Sequence, residues 1–197
     1  MKSDHRIAAA VLIGGKSSRM GRPKEDIVIP KDGRTFLDRI CDEVDVCFGT
    51  CLCKRYLSVR KGQTRAKDGF IVVEDEYDGI GPLGALVSVL NRAAEDKCDA
   101  VLLLACDMIC YPASEIIKIC GEYKGQDILF ARTDKENLEP LASIYGVNLT
   151  ETARMMAESG EFKLRALTQY SDNISYYDSD DPGAYKNVNK PDQENSV

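Results

Sequence analysis

The stretch IAAAVLIGGKSSRMGRPK, residues 7–24, joins an apolar run directly to a loop rich in glycine and basic side chains. The apolar run is typical of a strand that is buried on both faces. Gly14 and Gly15, which end the run, lack Cβ atoms, so that backbone N–H groups can approach the oxygens of a phosphate. We therefore predict a buried strand followed by an anion-binding loop.

Among the basic residues of this loop, Lys16, Arg19 and Lys24 are the candidates for contact with an anion. A guanidinium makes forked contacts with phosphate, and Lys24 offers a compact charge for a phosphate further along the same ligand. The string contains neither the GxxxxGK[ST] of a Walker A loop nor the GxGxxG of a dinucleotide-binding turn. The residues alone leave two interpretations, a polyphosphate site or a glycine turn followed by a solvated basic surface.

Outward from this stretch, short apolar runs alternate with amphipathic ones along most of the chain. They are TFLDRICDEV, VDVCF, FIVVED, GPLGALVSVLNRAAED, AVLLLACD, ASEIIKICGEYK and DILFAR, with VDVCF in the place of a strand. This alternation predicts an α/β protein, a three-layer sandwich with helices on both faces of a mainly parallel sheet. We also predict a strand over 141–146 and a helix over 149–159 with Gly160 as its C-cap. The polar segment YYDSDDPGAYKNVNKPDQENSV should wrap the surface or be disordered.

The chain has 197 residues, 44% of them hydrophobic, which is enough for one full-sized core. We predict a single domain over 1–197, with a disordered tail from about residue 190. The formal net charge of -6 argues against a general electrostatic contact with nucleic acid or anionic membranes. No apolar run is long enough to cross a bilayer and the N-terminus leads into a strand, so we expect a cytoplasmic protein.

Eight cysteines are present, and reduced thiols are the expectation for a chain with a sufficient apolar core. The tightest group is Cys47, Cys51 and Cys53. It lacks a standard zinc spacing, because the one histidine, His5, lies near the N-terminus. The alternative, a cysteine-bound metal in a sensor or carrier protein, stays open.

The whole string LIGGKSSRMGRPK, residues 12–24, resembles the N-terminal signature of nucleotidyltransferases that activate small phosphorylated compounds. It is most similar to that of the molybdenum cofactor guanylyltransferases, whose pattern runs LxGGxSxRMGxxK. The resemblance implies a Rossmann-like nucleotide-diphospho-sugar transferase fold. It also implies that Leu12, Gly14, Gly15, Arg19 and Lys24 bind the nucleotide, with Arg19 and Lys24 taking part in catalysis.

Two later segments also resemble this family. In VVEDEYDGIGPLGAL, the family's acidic residue and helix-opening turn correspond to Asp75, Gly81 and Pro82. A carboxylate at Asp75 can accept hydrogen bonds from guanine N1–H and N2–H₂ or from a ribose. In AVLLLACDM, Asp107 emerges directly from a buried strand and corresponds to the family's Mg²⁺-binding, catalytic and nucleotide-binding aspartate. The proline often found two residues later is Ile109 here.

The resemblance to the family is less specific in the segments that would bind the acceptor. LEPLASIY resembles the strand on the second-substrate side of the family, and YKNVNKPDQ resembles its C-terminal segment, with Asn187 and Asn189 as the matching residues. We expect these asparagines either to bind the acceptor or to fix the tail against the site. Lys163 and Arg165 stand where relatives carry basic residues, which implies contact with the pterin phosphate, or else an exposed helix face. At TCLCK, residues 50–54, the asparagine that guanylyltransferases tend to carry is missing, which leaves one base or ribose contact unassigned.

The resemblance covers residues from about 8 to 192 and implies a Mg²⁺-dependent guanylyltransferase. Its substrates would be GTP and molybdopterin, whose terminal phosphate would receive GMP while pyrophosphate leaves. The glycine pair and the GPLGA turn favour GTP over CTP. The implied partner is a molybdo- or tungstoenzyme or its chaperone. Three alternatives stay open: a cytidylyltransferase, transfer to another small phosphorylated acceptor, and a nucleotide- or pterin-binding maturation adaptor without turnover.

Overall fold

The computed structural model describes residues 5–13, 23–30 and 32–186. Several residues singled out in the sequence lie outside these ranges, as does the tail from about residue 190. They are Gly14, Gly15, Lys16, Arg19, Asn187 and Asn189.

Strands and helices alternate along the first two thirds of the chain, except that two strands follow each other between residues 54 and 74. The strands are β1 (Ile7–Leu12), β2 (Lys54–Val59), β3 (Ile71–Glu74), β4 (Ala100–Ala105), β5 (Ile128–Arg132), β6 (Leu138–Gly146) and β7 (Ile174–Asp178). The helices are α1 (Phe36–Cys47), α2 (Pro82–Glu95), α3 (Ala113–Glu122) and α4 (Thr150–Ser159). Short 3-10 turns cover Lys24–Asp26, Val147–Leu149, Leu164–Gln169 and Pro182–Tyr185.

The strands form one seven-stranded sheet in the order β3-β2-β1-β4-β6-β5-β7. Neighbouring strands from β3 to β4 are parallel, as are β5 and β7, whereas β6 runs antiparallel to both β4 and β5. Because β6 is reversed, it begins at the edge of the sheet where the other strands end. The strand order reverses between β1 and β4, and in open α/β sheets such a reversal opens a crevice at the carboxyl ends of the strands.

Two apolar cores separate the sheet from its helices. One core packs α1 and α3 against one face, around residues such as Val11, Val44 and Ile116. The other packs α2 and α4 against the opposite face, around residues such as Ala10, Leu86 and Met156. The prediction of a three-layer α/β sandwich with a mainly parallel sheet is confirmed.

The prediction of a strand at VDVCF is wrong. Helix α1 continues to Cys47, because Ile40, Val44 and Cys47 recur at helical spacing and are all buried. Phe48 is its C-cap. The next strand is β2, whose first two residues are charged, so that it lacks the apolar start of the other central strands.

The predictions for the start of α2 and the end of α4 are confirmed. Pro82 occupies the first turn of α2, where its missing N–H is not needed. Gly160 is the C-cap of α4 with a left-handed φ of 85°. Strand β6 includes the predicted 141–146.

The stretch 174–186, which contains the described part of the polar segment, is more buried than predicted. It supplies β7 at the edge of the sheet, and it buries Tyr177 and Tyr185. Both tyrosine hydroxyls donate hydrogen bonds to Glu115 Oε2, at 3.0 and 3.2 Å, and Ser179 Oγ donates a third at 2.8 Å. The polar composition of this segment did not indicate burial, because the two tyrosine rings join the apolar core while their hydroxyl groups reach the carboxylate on α3.

All eight cysteines are free thiols. Cys53 Sγ and Cys98 Sγ approach to 3.6 Å at the amino-terminal edge of the sheet. In the part of the chain that the structure describes, no group of three or more His, Cys, Asp or Glu side chains is arranged to hold a metal ion. Across the same residues, none of the helices has the length and apolar character needed to span a membrane.

Candidate active site

A cavity of about 460 Å³ opens at the carboxyl ends of the parallel strands. Its walls come from residues at or just after the ends of β1, β2, β3 and β4, together with the start of α2 and Leu141 of β6. Leu12 and Ala105 mark the reversal of strand order within it. The size is in the range of small-molecule pockets, and the position is the one expected for ligands of open α/β sheets.

Asp107 stands on the turn that follows β4, and 14% of its side chain is exposed. Lys24 Nζ donates a hydrogen bond to Asp107 Oδ2 at 2.7 Å, and both residues line the cavity. Helix α3 begins only at Ala113, so the Asp107 side chain does not cap this helix and can contact a ligand. The structure thus brings together two residues that the sequence had singled out separately.

The neighbouring Cys106 has no place in this chemistry. Its side chain is almost wholly buried, and burial raises the pKa of its thiol far above the usual range. The thiol therefore stays protonated and packs against the core, as expected from its position beside Asp107.

Asp75 follows β3 and lines the same cavity. Ser58 Oγ donates a hydrogen bond to Asp75 Oδ1 at 2.8 Å. Burial raises the pKa of Asp75 to about 6, with a further rise from the charge of Asp78, while Ser58 and Arg60 act in the opposite direction. Near neutral pH the carboxylate is mainly ionised and can accept hydrogen bonds from a ligand.

The start of α2 forms the wall beside Asp75. Gly81 has a φ of 70° at the N-cap, and both Gly81 and Pro82 line the cavity. Gly84 packs so closely that a Cβ there would lie 2.9 Å from Tyr77 O. The glycines of GIGPLGA are therefore needed for the turn and for the approach of the helix to the loop before it.

Glu25 is a cavity residue that the sequence did not indicate. It is a carboxylate with only 3% exposure, and Gln63 Nε2 donates a hydrogen bond to its Oε1 at 2.9 Å. The adjacent Asp26 forms an ion pair with Arg65. These two contacts fix the 3-10 turn that carries Lys24 to the connection between β2 and β3. The contacts join distant segments, so no local pattern could have predicted them.

Ser58 and Arg60 were missed as well, because β2 itself was missed. The segment TCLCK, residues 50–54, lies at the amino-terminal end of β2, on the opposite edge of the sheet from the cavity. Residues 50–54 therefore do not line the cavity, and the base or ribose contact that the sequence left unassigned stays unassigned there. The residues that stand at the carboxyl end of this strand are Ser58 and Arg60.

Lys163 and Arg165 do not line the cavity. Both are exposed, and Arg165 Nη2 donates a hydrogen bond to Leu138 O at 2.6 Å. Leu138 begins the strand that reaches the cavity at Leu141. Arg165 is thus placed beside β6, the strand that supplies Leu141 to the cavity wall. Gly14, Gly15, Arg19, Asn187 and Asn189 lie outside the described residues, so their predicted roles stay predictions.

The donor set at Asp107 fits the expected Mg²⁺. Among the described residues the partner of this carboxylate is Lys24, which contacts Oδ2, and Oδ1 remains for a cation. Mg²⁺ is commonly held by one or two carboxylates together with substrate phosphates and water, so a single aspartate beside a phosphate site is sufficient. Together, a paired lysine and aspartate, a cavity of about 460 Å³ and a second carboxylate can position a nucleoside triphosphate for transfer.

The model of one protein family, described as MobA-like NTP transferase domain, matches residues 9–174. The molybdenum cofactor guanylyltransferase of Shewanella baltica is 26% identical over 191 residues, which are 95% of this chain and 93% of that protein. The molybdenum cofactor guanylyltransferase of Haemophilus influenzae is 28% identical over 189 residues, 94% of either chain.

Two solved structures share the fold. Molybdopterin-guanine dinucleotide biosynthesis protein A from Archaeoglobus fulgidus matches with a TM-score of 0.74 at 18% identity, over 96% of this chain and 95% of that one. The 4-diphosphocytidyl-2C-methyl-D-erythritol synthase from Anaerococcus prevotii matches with a TM-score of 0.73 at 11% identity, over 98% and 94%. At these identities the likeness concerns the fold alone.

Proposed function

Because the chain belongs to the MobA-like NTP transferase domain family, we propose that it is a molybdenum cofactor guanylyltransferase. It would transfer GMP from GTP to the terminal phosphate of molybdopterin. The observation that carries the proposal is the contact of Lys24 Nζ with Asp107 Oδ2 at 2.7 Å, in a cavity that Asp75 also lines. The names of the two guanylyltransferase relatives support GTP and molybdopterin as the substrates.

In the proposed reaction, a terminal phosphate oxygen of the acceptor forms a bond to the α-phosphorus of GTP. The bond from that phosphorus to the bridging oxygen of the β-phosphate breaks, and pyrophosphate leaves with the electron pair. Lys24 offsets negative charge on the phosphates, and Asp107 fixes the position of its ammonium group. Positioning and electrostatics carry such a transfer, so no covalent intermediate with the enzyme is needed.

The expected Mg²⁺ would be held by Asp107 together with phosphate oxygens of the nucleotide. When bound, this ion neutralises negative charge on the phosphates. The residues of the chain contribute the rest: Lys24 supplies a second positive charge, and Asp75 holds the base in the cavity. Arg19, Gly14 and Gly15 complete the proposed triphosphate site.

The acceptor would bind on the β6 side of the cavity. Leu141 lines the cavity there, and Arg165 is placed beside it through its bond to Leu138 O. Lys163, Asn187 and Asn189 belong to the same proposed site. The product would pass to a molybdo- or tungstoenzyme or to its chaperone.

The test is pyrophosphate release by the purified protein with Mg²⁺, molybdopterin and one of GTP, CTP, ATP or UTP. The Asp107→Ala variant is the control. Release with GTP alone that is absent in the variant would establish the proposed function. A preference for CTP would make the protein a cytidylyltransferase. Binding of GTP without turnover, by a folded protein, would favour a different acceptor or the maturation adaptor.

A further inference from the structure

Arg60 and Asp75 stand side by side on the wall of the cavity. Strands β2 and β3 are parallel with Val59 opposite Glu74, so the residues that follow them are neighbours. Asp75 N donates a hydrogen bond to Val59 O at 2.8 Å, which fixes this register beyond the strand ends. The Arg60 charge acts directly on the Asp75 carboxyl, although burial has the larger effect on its pKa. A positively charged side chain and a carboxylate therefore line the same cavity from adjacent positions.

The backbone of Arg60 is held by Gln63. Arg60 N donates to Gln63 Oε1 at 3.2 Å, and Gln63 N donates to Arg60 O at 2.9 Å. The same Gln63 side chain donates to the buried Glu25 at 2.9 Å, which ties the turn to the rim of the cavity. Within residues 5–13, 23–30 and 32–186, the structure shows no hydrogen bond or ion pair of the Arg60 guanidinium. The guanidinium is thus placed on the cavity wall without a partner among these residues.

Guanine presents one acceptor, O6, next to two donors, N1–H and N2–H₂. Among the four common bases it alone offers two adjacent donors on this edge, which matches the two oxygens of a carboxylate. We propose that Arg60 is a specificity-determining residue, whose guanidinium donates to guanine O6 while the neighbouring Asp75 accepts from N1–H and N2–H₂. This inference rests on the proposed function, because it assumes that GTP is the nucleotide.

The pair also explains how other bases are disfavoured. Adenine places an amino group at position 6, so that two donors would face each other at Arg60. Cytosine carries a single amino group, which leaves one carboxylate oxygen of Asp75 without a donor. A buried polar group that loses its partner costs more free energy than its hydrogen bond contributes. Such mismatches therefore discriminate strongly between GTP and the other nucleotides.

The experiment measures nucleotide binding by calorimetry without any acceptor. GTP is compared with 6-thio-GTP, in which a weak acceptor replaces O6, and with ITP, which lacks the 2-amino group. The proteins are the wild type, Arg60→Ala, Arg60→Lys and the matched control Lys61→Ala, which removes an exposed positive charge from the same turn. Circular dichroism and thermal unfolding confirm that each variant is folded.

We expect the wild type to bind 6-thio-GTP and ITP each about tenfold more weakly than GTP, as for the loss of one charge-assisted hydrogen bond. Arg60→Ala should weaken GTP binding by a similar factor and abolish the preference for GTP over 6-thio-GTP, while it keeps the preference over ITP. Arg60→Lys should retain part of the preference for O6. Lys61→Ala should behave as the wild type.

The proposal is overturned if Arg60→Ala keeps the full preference for GTP over 6-thio-GTP. It is also overturned if the variant loses GTP affinity without changing that preference relative to the wild type, since Arg60 would then contact ribose or phosphate. Tight binding of CTP with no binding of GTP would overturn both this inference and the choice of GTP in the proposed function. The first two outcomes leave the transferase proposal untouched.

Discussion

Lys24 Nζ lies 2.7 Å from Asp107 Oδ2, although 83 positions separate the two residues in the chain. The contact crosses the point where the strand order reverses, because Lys24 follows β1 and Asp107 follows β4. It is partly shielded from water, with 25% and 14% of the two side chains exposed. A cation and a carboxylate are thereby held together beside the cavity before any nucleotide binds.

Asp107→Ala should lower turnover by at least about 100-fold, because it removes the proposed metal ligand and the partner that positions Lys24. Pyrophosphate release at saturating GTP is the measurement. The fold should be retained, since the aspartate lies on a turn and not in the core. Asp45→Ala is the matched control, because it breaks an ion pair with Arg55 near the amino-terminal end of β2, away from the cavity. A fully active Asp107→Ala protein would remove this residue from the mechanism.

Lys24→Ala should weaken GTP binding and lower the rate together, with a loss of about 100-fold in kcat/KM. The reason is that the lysine charge offsets the negative charge of the phosphates both in the bound state and during transfer. Steady-state kinetics with varied GTP measure both effects. A rise in KM at unchanged kcat would mean that Lys24 contributes uniform binding and no transition-state stabilisation.

The affinity for GTP should fall as the pH drops below the Asp75 pKa of about 6. Protonated Asp75 loses acceptor capacity, so affinity should decrease by about tenfold per pH unit well below that value. The charged groups that act on it are Asp78, Arg60 and Glu74. A terminal phosphate of GTP titrates in the same range, so the difference between the wild type and Asp75→Asn isolates this residue. Parallel pH profiles of the two proteins would contradict the assignment.

Asp75→Asn should also stabilise the free protein near pH 8. Burial raises the folded-state pKa of Asp75 from its ordinary value of 3.8 to about 6, so the ionised carboxylate lowers the stability of the folded protein. That cost is absent below about pH 4, grows between about pH 4 and 6, and is constant above. Asparagine keeps an acceptor for Ser58 without the charge. We expect a gain of about 1–2 kcal/mol at pH 8 and none at pH 4, measured by thermal unfolding. An equal gain at both pH values would contradict this explanation.

Glu115→Ala should destabilise the protein by about 3 kcal/mol, because it leaves three buried or half-buried hydroxyl groups without their acceptor. Cleavage within 174–186 under limited proteolysis should accelerate, since Tyr177, Ser179 and Tyr185 all donate to this carboxylate. Tyr185→Phe is the graded control, and the loss of one bond should cost about 1 kcal/mol. If both variants cost the same, the contacts do not act as a set.

Much of the fold was predictable because most central strands are apolar throughout and most helix ends carry clear signals. Strand β2 is the exception. Ser58 is buried in β2, and the first two residues of that strand are Lys54 and Arg55, so its pattern falls below that of a buried strand. The apolar residues at the end of α1 instead resembled a short strand, because in VDVCF helical and strand spacing cannot be told apart.

The site was predictable where a residue follows an apolar strand, as for Asp75 and Asp107. It was not predictable where the function of a residue depends on a distant partner. Glu25 acquires its position through Gln63, and Arg60 through its register with Asp75. The family resemblance seen in the sequence is confirmed by the match over residues 9–174.

The reversed direction of β6 divides the sheet into two parts, which reach the cavity edge with opposite strand directions. The parallel strands β3, β2, β1 and β4 end in side chains that line the cavity, whereas β6 brings its first residues to the same edge from the opposite direction. The hairpin that joins β5 to β6 can therefore change in length and composition without altering the loops that follow the parallel strands. An enzyme built in this way can exchange its acceptor during evolution while it conserves its nucleotide donor.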